Sequence, residues 1–198
     1  MRVLVIGSGG REHALANALV VSPTVDEVVC APGNPGMAAL GRCVPVDVAD
    51  ADAVAALAEA LDADLTVVGP EVPLVAGAVD AVESRGYRAF GPRAAAARLE
   101  GSKAWMKDVL RAADVPTARS AAFTTSQETA ALAYLDTLPG FYVVKTDGLA
   151  AGKGVVVTES YAEAREYVRF IEDLVRVPVT FVSVGPARDQ TVVLPRAA

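Results

Sequence analysis

The segment MRVLVIGSGGREHALANALVV (residues 1–21) sets the architecture. Its first six residues are mostly apolar, and Gly7, Gly9 and Gly10 follow at once. A short apolar run without polar alternation predicts a strand buried on both faces, as in a parallel sheet. Residues 11–21 then predict a helix with Leu15, Ala18 and Leu19 on one face. Strand, glycine turn and helix in that order open a βαβ unit.

The same pattern repeats downstream. Residues 27–30 predict a second strand, closed by the turn Pro32-Gly33-Asn34-Pro35-Gly36. Val54, Leu57, Ala58 and Leu61 fall at i, i+3, i+4 and i+7, the spacing of an amphipathic helix. Residues 65–68 form another apolar strand that runs into Gly69-Pro70-Glu71. Val75, Ala78, Val79 and Val82 repeat the helical spacing until Gly86, and residues 88–90 enter Gly91-Pro92. This alternation predicts an α/β domain with a doubly wound parallel sheet over residues 1–92.

The pattern changes after residue 92. Residues 93–118 read as linker helices, with Ser102 capping a helix over 100–113 whose Met106, Val109, Leu110 and Ala113 point inward. Residues 119–198 read as a small α+β unit. Thr125 and Glu128 have the spacing of a capping box, for a helix that buries Ala131, Tyr134, Leu135 and Leu138. Residues 141–145 and 155–158 are β-rich and flank a glycine-bearing segment, 146–154. Ser160 with Glu163 caps a further helix carrying Ala164, Val168, Ile171 and Val175, and residues 177–184 and 190–194 can pair as a hairpin.

Composition excludes several function classes. Of 198 residues, 53% are apolar and 21% charged, with a mean hydropathy of +0.36, so the chain is not a disordered one. No run approaches the roughly 18 apolar residues of a membrane span, and residues 3–6 are too short for a signal peptide's core. Cys30 and Cys43 give neither a disulfide framework nor metal-ligand spacing, which points to a reducing cytoplasm. A net charge of −6 and a pI near 4.8 argue against nucleic acid as a partner. The four lysines, Lys103, Lys107, Lys145 and Lys153, stand against fourteen arginines and cluster in the middle of the chain. Such clustering suits positions where a compact ammonium differs in effect from a guanidinium.

Two segments carry candidate chemistry. Gly7-Ser8-Gly9-Gly10-Arg11-Glu12-His13 joins the first strand to the first helix, where main-chain N–H groups and the helix dipole suit a phosphate. It is not a dinucleotide fingerprint, because Glu12 stands where the third glycine belongs and the second strand ends in Cys30-Ala31-Pro32 without an acid for a ribose. His13 reads as a packing residue. Asn34 and Glu71 follow strands that border the same crevice and are candidates for hydrogen bonds to a small polar substrate; ordinary turn chemistry is the plainer alternative. The second segment is Lys145-Thr146-Asp147-Gly148-Leu149-Ala150-Ala151-Gly152-Lys153-Gly154. It is not a P-loop, since only three residues separate Gly148 from Gly152 and a strand follows it. Two strands with a small-residue flap between them make a hairpin that can cover a triphosphate, with Lys145 and Lys153 as phosphate contacts.

Residues 7–14, 31–36, 69–77, 90–92, 100–103 and 143–157 resemble, in order, the motifs of glycinamide ribonucleotide synthetase, the phosphoribosylamine–glycine ligase of purine biosynthesis. The resemblance implies an ATP-grasp ligase with a pre-ATP-grasp domain at residues 1–92 and part of the nucleotide-covering lid subdomain from 119 onward. It implies that ATP, used as a substrate, phosphorylates the glycine carboxylate and that the amine of phosphoribosylamine attacks the acyl phosphate. Gly9, Gly10, Arg11, Glu12, Asn34, Pro35, Gly36 and Glu71 would then border the phosphoribosylamine site. Lys103, Lys145, Gly148, Leu149, Ala150, Ala151, Gly152, Lys153 and Gly154 would serve ATP.

The match fades after about residue 167, where the family continues with an acidic hinge and a larger subdomain. The family's Mg2+ ions are held by carboxylates and an asparagine, yet Asp189 is the only acid after Arg176 and no asparagine follows Asn34. These residues therefore predict a truncated chain, inactive alone, whose missing half a second polypeptide could supply. A non-catalytic phosphosugar- or nucleotide-binding module, or another ATP-grasp carboxylate–amine ligase, are the alternatives.

Overall fold

In the computed structural model, which describes residues 1–138, 140–149, 155–175, 179–183 and 191–193, the chain forms two compact units, Met1–Arg98 and Leu99–Ala198.

The first unit is built on β1 (Arg2–Gly7), with Val3, Leu4, Val5 and Ile6 wholly buried. After it come α1 (Gly10–Val20), β2 (Glu27–Pro32), α2 (Pro35–Ala38), β3 (Arg42–Cys43), α3 (Ala51–Ala60), β4 (Leu65–Val68), α4 (Glu71–Ala76), α5 (Ala78–Ser84) and β5 (Ala89–Phe90). All five strands are parallel, in the order β3-β2-β1-β4-β5. Alternation along β1 feeds two cores. Leu4 and Ile6 pack with Val54, Ala58, Val79 and Val82 of α3 and α5, while Val3 and Val5 pack with Ala16 of α1 and Met37 of α2. Each fully buried Val, Leu or Ile contributes about 1.5–3 kcal/mol, so a sheet covered on both faces is the stable arrangement for this sequence. This is the doubly wound sheet that the sequence predicts.

Several details differ from the sequence expectation. The inner face of α1 is Glu12 and Ala16, with Leu19 half-buried; Leu15 and Ala18 are exposed. The helix is rotated because the buried Glu12 carboxylate, not a leucine, anchors its first turn. The turn at Asn34 continues into α2, for Asn34 caps it by accepting the Met37 N–H, and Pro35 suits a first helical position. The edge strand β3 is too short to show periodicity. The helix expected around Val75–Val82 is two helices, divided at Gly77, whose φ of +92° ends α4 and begins α5.

In the second unit α6 (Ala94–Gly101), which spans the division between the units, precedes α7 (Lys103–Ala112), so the single helix expected over 100–113 is broken at Ser102, the cap of α7. Lys107 is the buried residue of α7, while Met106, Val109 and Leu110 are half-buried and Ala113 is exposed. The capping box lies one residue earlier than expected: the Thr124 N–H donates to Gln127 Oε1 at 2.8 Å, and a 3-10 turn (Thr125–Gln127) leads into α8 (Glu128–Leu135). β6 (Tyr142–Thr146), β7 (Val155–Thr158), α9 (Tyr161–Val175), β8 (Val179–Ser183) and β9 (Thr191–Val193) complete the unit. Its sheet is antiparallel, in the order β7-β6-β8-β9, so the hairpin expected near the end of the chain is present as β8–β9. Ser160 Oγ accepts the Glu163 N–H at 3.2 Å, as expected of the cap on α9. Ala131, Leu135, Leu138, Tyr142, Val144, Ala164 and Val168 form the core between helices and sheet.

Candidate functional site

Because β2, β1 and β4 are neighbours, the loops after their C-terminal ends meet at one edge of the first unit. Gly33 N–H donates to Gly7 O and Gly69 N–H to Ile6 O, each at 3.2 Å. Asn34 Nδ2 donates to Ser8 O at 2.9 Å while its Oδ1 accepts the Met37 N–H at 3.0 Å. Both polar ends of Asn34 are engaged, so it shapes the crevice and keeps one amide N–H to offer.

Glu12 is the centre of this cluster. It is 3% exposed, its Oε2 accepts the Gly9 N–H at 2.8 Å and its Oε1 accepts Arg11 Nε–H at 3.2 Å. A Cβ at Gly69 would lie 2.5 Å from Glu12 Oε1, and one at Gly9 2.7 Å from Oε2, so these loops close over the carboxylate only as glycines. The helix N-terminus thus already holds an anion, where a dinucleotide site would leave its N–H groups to a pyrophosphate. Arg11 reaches outward, and both its terminal nitrogens donate to Glu71 Oε1 at 3.2 Å. Hydrogen bonds to Glu12 and then Glu71 raise the Arg11 pKa. A hydrogen bond from its own backbone, supported by Arg11 against the cost of burial, holds the Glu71 carboxyl below its ordinary range. His13 packs against Gly36, where a Cβ would come 2.6 Å from the ring carbon Cε1. The structure therefore brings Gly9, Gly10, Arg11, Glu12, Asn34, Pro35, Gly36 and Glu71 to one edge, with Glu12 beneath the others.

In the second unit the root of the β6–β7 hairpin is tied to the start of α7. Ser102 Oγ accepts the Trp105 N–H at 3.2 Å and donates to Asp147 Oδ2 at 2.9 Å, and the Lys103 N–H donates to Asp147 Oδ1 at 2.7 Å. Lys103 Nζ donates to Gly148 O at 2.6 Å and Thr146 O at 3.3 Å. Burial lowers the Lys103 pKa, the Asp147 charge opposes this, and the Lys145 charge adds to it. Lys107 Nζ is buried and donates to Thr117 Oγ1 at 2.6 Å and Ala118 O at 3.1 Å. Burial first, then the charges of Lys145 and Arg111, pull its pKa down to about 8. Lys103, Lys107 and Lys145 thus share one electrostatic neighbourhood. Lys145 is half-buried on β6, Gly148 turns the chain at φ +91°, and Leu149 is 42% exposed. Ala150, Ala151, Gly152, Lys153 and Gly154 lie outside the described residues. Sequence reasoning missed Asp147 as the latch and the burial of Lys107. Neither had a local signal, since the partners of both lie outside their own element.

Among the described residues no group of three or more His, Cys, Asp or Glu side chains could hold a metal ion. No described helix is long and apolar enough to cross a membrane.

Residues 1–100 match the phosphoribosylglycinamide synthetase N domain, and residues 101–177 match the ATP-grasp (A) domain of the same synthetase. The chain belongs to the phosphoribosylglycinamide synthetase family. It is 53% identical over 175 residues to the phosphoribosylamine–glycine ligase of Streptomyces coelicolor, which covers 88% of this chain and 42% of that protein. The Xylella fastidiosa ligase is 52% identical over 171 residues, or 85% of this chain and 39% of its own. The chain therefore spans about two fifths of the length of these curated relatives of the synthetase family. The crystal structure of the Thermotoga maritima ligase superposes over all of this chain and 44% of its own, with a TM-score of 0.67 and 28% identity. A Staphylococcus aureus N5-carboxyaminoimidazole synthetase solved with ADP shares the fold at a TM-score of 0.65 and 17% identity, over 98% of this chain and 53% of its own.

Proposed function

We propose that this chain takes the phosphoribosylamine side, and part of the ATP side, of the reaction ATP + glycine + 5-phosphoribosylamine → glycinamide ribonucleotide + ADP + phosphate. The observation that carries the reading is the ordered match to both synthetase domains over residues 1–177. The geometry supports a division of labour. Arg11, pinned between Glu12 and Glu71, presents a fixed guanidinium for the substrate's phosphate, a bond worth about 1.5–3 kcal/mol when charge-assisted. Asn34 and Glu71 supply a donor and an acceptor for ribose hydroxyls or the amine. Lys145, with the flap it roots, meets the nucleotide's phosphates, while Lys103 holds the flap's carbonyls in place. In the complete reaction the amine nitrogen attacks the acyl-phosphate carbon and phosphate leaves.

Calorimetry with glycinamide ribonucleotide tests the reading. The expected outcome is saturable binding to the 198-residue chain, roughly ten- to a hundredfold weaker in Arg11→Ala, and no binding of NAD+. Equal affinity in the Arg11→Ala variant, or tight NAD+ binding, would overturn it.

A further inference from the structure

Two thiols remain that the proposed reaction does not use. Cys30 on β2 and Cys43 on β3 are direct register partners in parallel strands, and the Val44 N–H donates to Cys30 O at 2.9 Å. Neighbouring strands run about 4.8 Å apart, inside the window of Cα separations that a disulfide spans. Both side chains lie on the α1–α2 face of the sheet, in the cluster of Val5, Ala16 and Met37. The Gly33 turn sits directly against them: a Cβ there would come 2.5 Å from Cys43 Sγ and 3.2 Å from Cys30 Cβ, at a φ of +74°. The two cysteines differ in access. Cys30 is wholly buried, whereas Cys43 is half-buried on the edge strand.

We propose that Cys43 and Cys30 form a thiol modification site, in which a hydroperoxide oxidises Cys43 and Cys30 resolves it to an intramolecular disulfide beneath the Gly33–Asn34 turn. The step balances as follows. The Cys43 sulfur attacks the peroxide, the O–O bond breaks, an alcohol or water leaves, and Cys43 becomes a sulfenic acid. The Cys30 sulfur then attacks the sulfenyl sulfur, the S–S bond forms, the S–O bond breaks, and the hydroxyl departs as water with the Cys30 proton. Two thiols lose two electrons and the peroxide gains them. The order of events follows from access, Cys43 being the half-buried thiol, and from burial, which together with Cys43 pushes the Cys30 thiol up to about 11 and makes it the less reactive of the two toward peroxide. The site is independent of the ligase reading, since nothing in it requires a phosphoribosyl or nucleotide ligand.

The test is peptide mapping and intact mass of the folded chain after exposure to hydrogen peroxide. The expected product is a monomer lighter by two hydrogen atoms, with residues 30 and 43 cross-linked and both thiols recovered on reduction. In Cys30→Ser, Cys43 should stop at the sulfenic or sulfinic acid; in Cys43→Ser, Cys30 should stay reduced under the same exposure. Disulfide-linked dimers, a wild-type chain carrying a sulfinic Cys43 beside a free Cys30, or two unreacted thiols would each overturn the proposal. The wild-type map decides it even where the serine variants fail to fold.

Discussion

Lys107 makes the stability of the second unit depend on pH in a direction opposite to that of ordinary paired lysines. Its ammonium is 4% exposed, faces the charges of Lys145 and Arg111, and among the described contacts donates hydrogen bonds only to the uncharged Thr117 and Ala118 oxygens. Its folded pKa, about 8, lies below the ordinary 10.5, so the unfolded chain binds the proton more tightly. That gap corresponds to about 3 kcal/mol of destabilisation at neutral pH, relieved as pH rises from about 8 toward 10.5. Linkage over the interval from about pH 7 to about pH 9.5 gives a gain in unfolding free energy of about 2 kcal/mol from this group alone. The assay is urea unfolding followed by the fluorescence of Trp105, the only tryptophan, which sits on α7 two residues before Lys107. Lys107→Met removes the titrating group. Its loss of the two hydrogen bonds lowers stability at both pH values and cancels in the difference. The wild type should gain about 2 kcal/mol more than the variant across the interval. Equal pH dependence in the two proteins would refute the reasoning.

Three further outcomes are expected. Asp147→Asn weakens the latch that holds Ser102 and the Lys103 N–H, and should cost about 1–3 kcal/mol in the Trp105-monitored transition. Gly69→Ala drives a methyl against the buried Glu12 carboxylate, 2.5 Å away, and should lower the stability of the first unit by about 1–3 kcal/mol, read by circular dichroism. Leu135→Ala empties a wholly buried site in the second core and should cost about 2–5 kcal/mol in the same urea assay, where a loss below 1 kcal/mol would contradict that packing.

The parallel sense of the first sheet was legible because β1, β2 and β4 are short apolar runs, each ending in a glycine turn. The misreadings share a cause: polar groups buried by tertiary contacts leave no periodic signature. Glu12 rotated α1 away from its leucines because two loops close over its carboxylate, and Lys107 took the inner face of α7 because Thr117 and Ala118 supply acceptors from ten residues downstream. Gly77 divided a helix that apolar spacing drew as continuous, since spacing is blind to a φ of +92°. The loop residues of the candidate site stand out in the sequence because glycine, asparagine and charged residues after strand ends are legible locally. Asp147 escaped notice because its partners, Ser102 and Lys103, lie more than forty residues away.

The central claim is that the glycine loop of the first unit and the hairpin root of the second serve different ligands. Calorimetric titration of the 198-residue chain with glycinamide ribonucleotide and with ATP, separately and together, addresses it most directly. Binding of both ligands at once is the predicted result, with Arg11→Ala weakening only the first and Lys145→Met weakening only the second. Mutual competition, or loss of both ligands in either variant, would contradict the account.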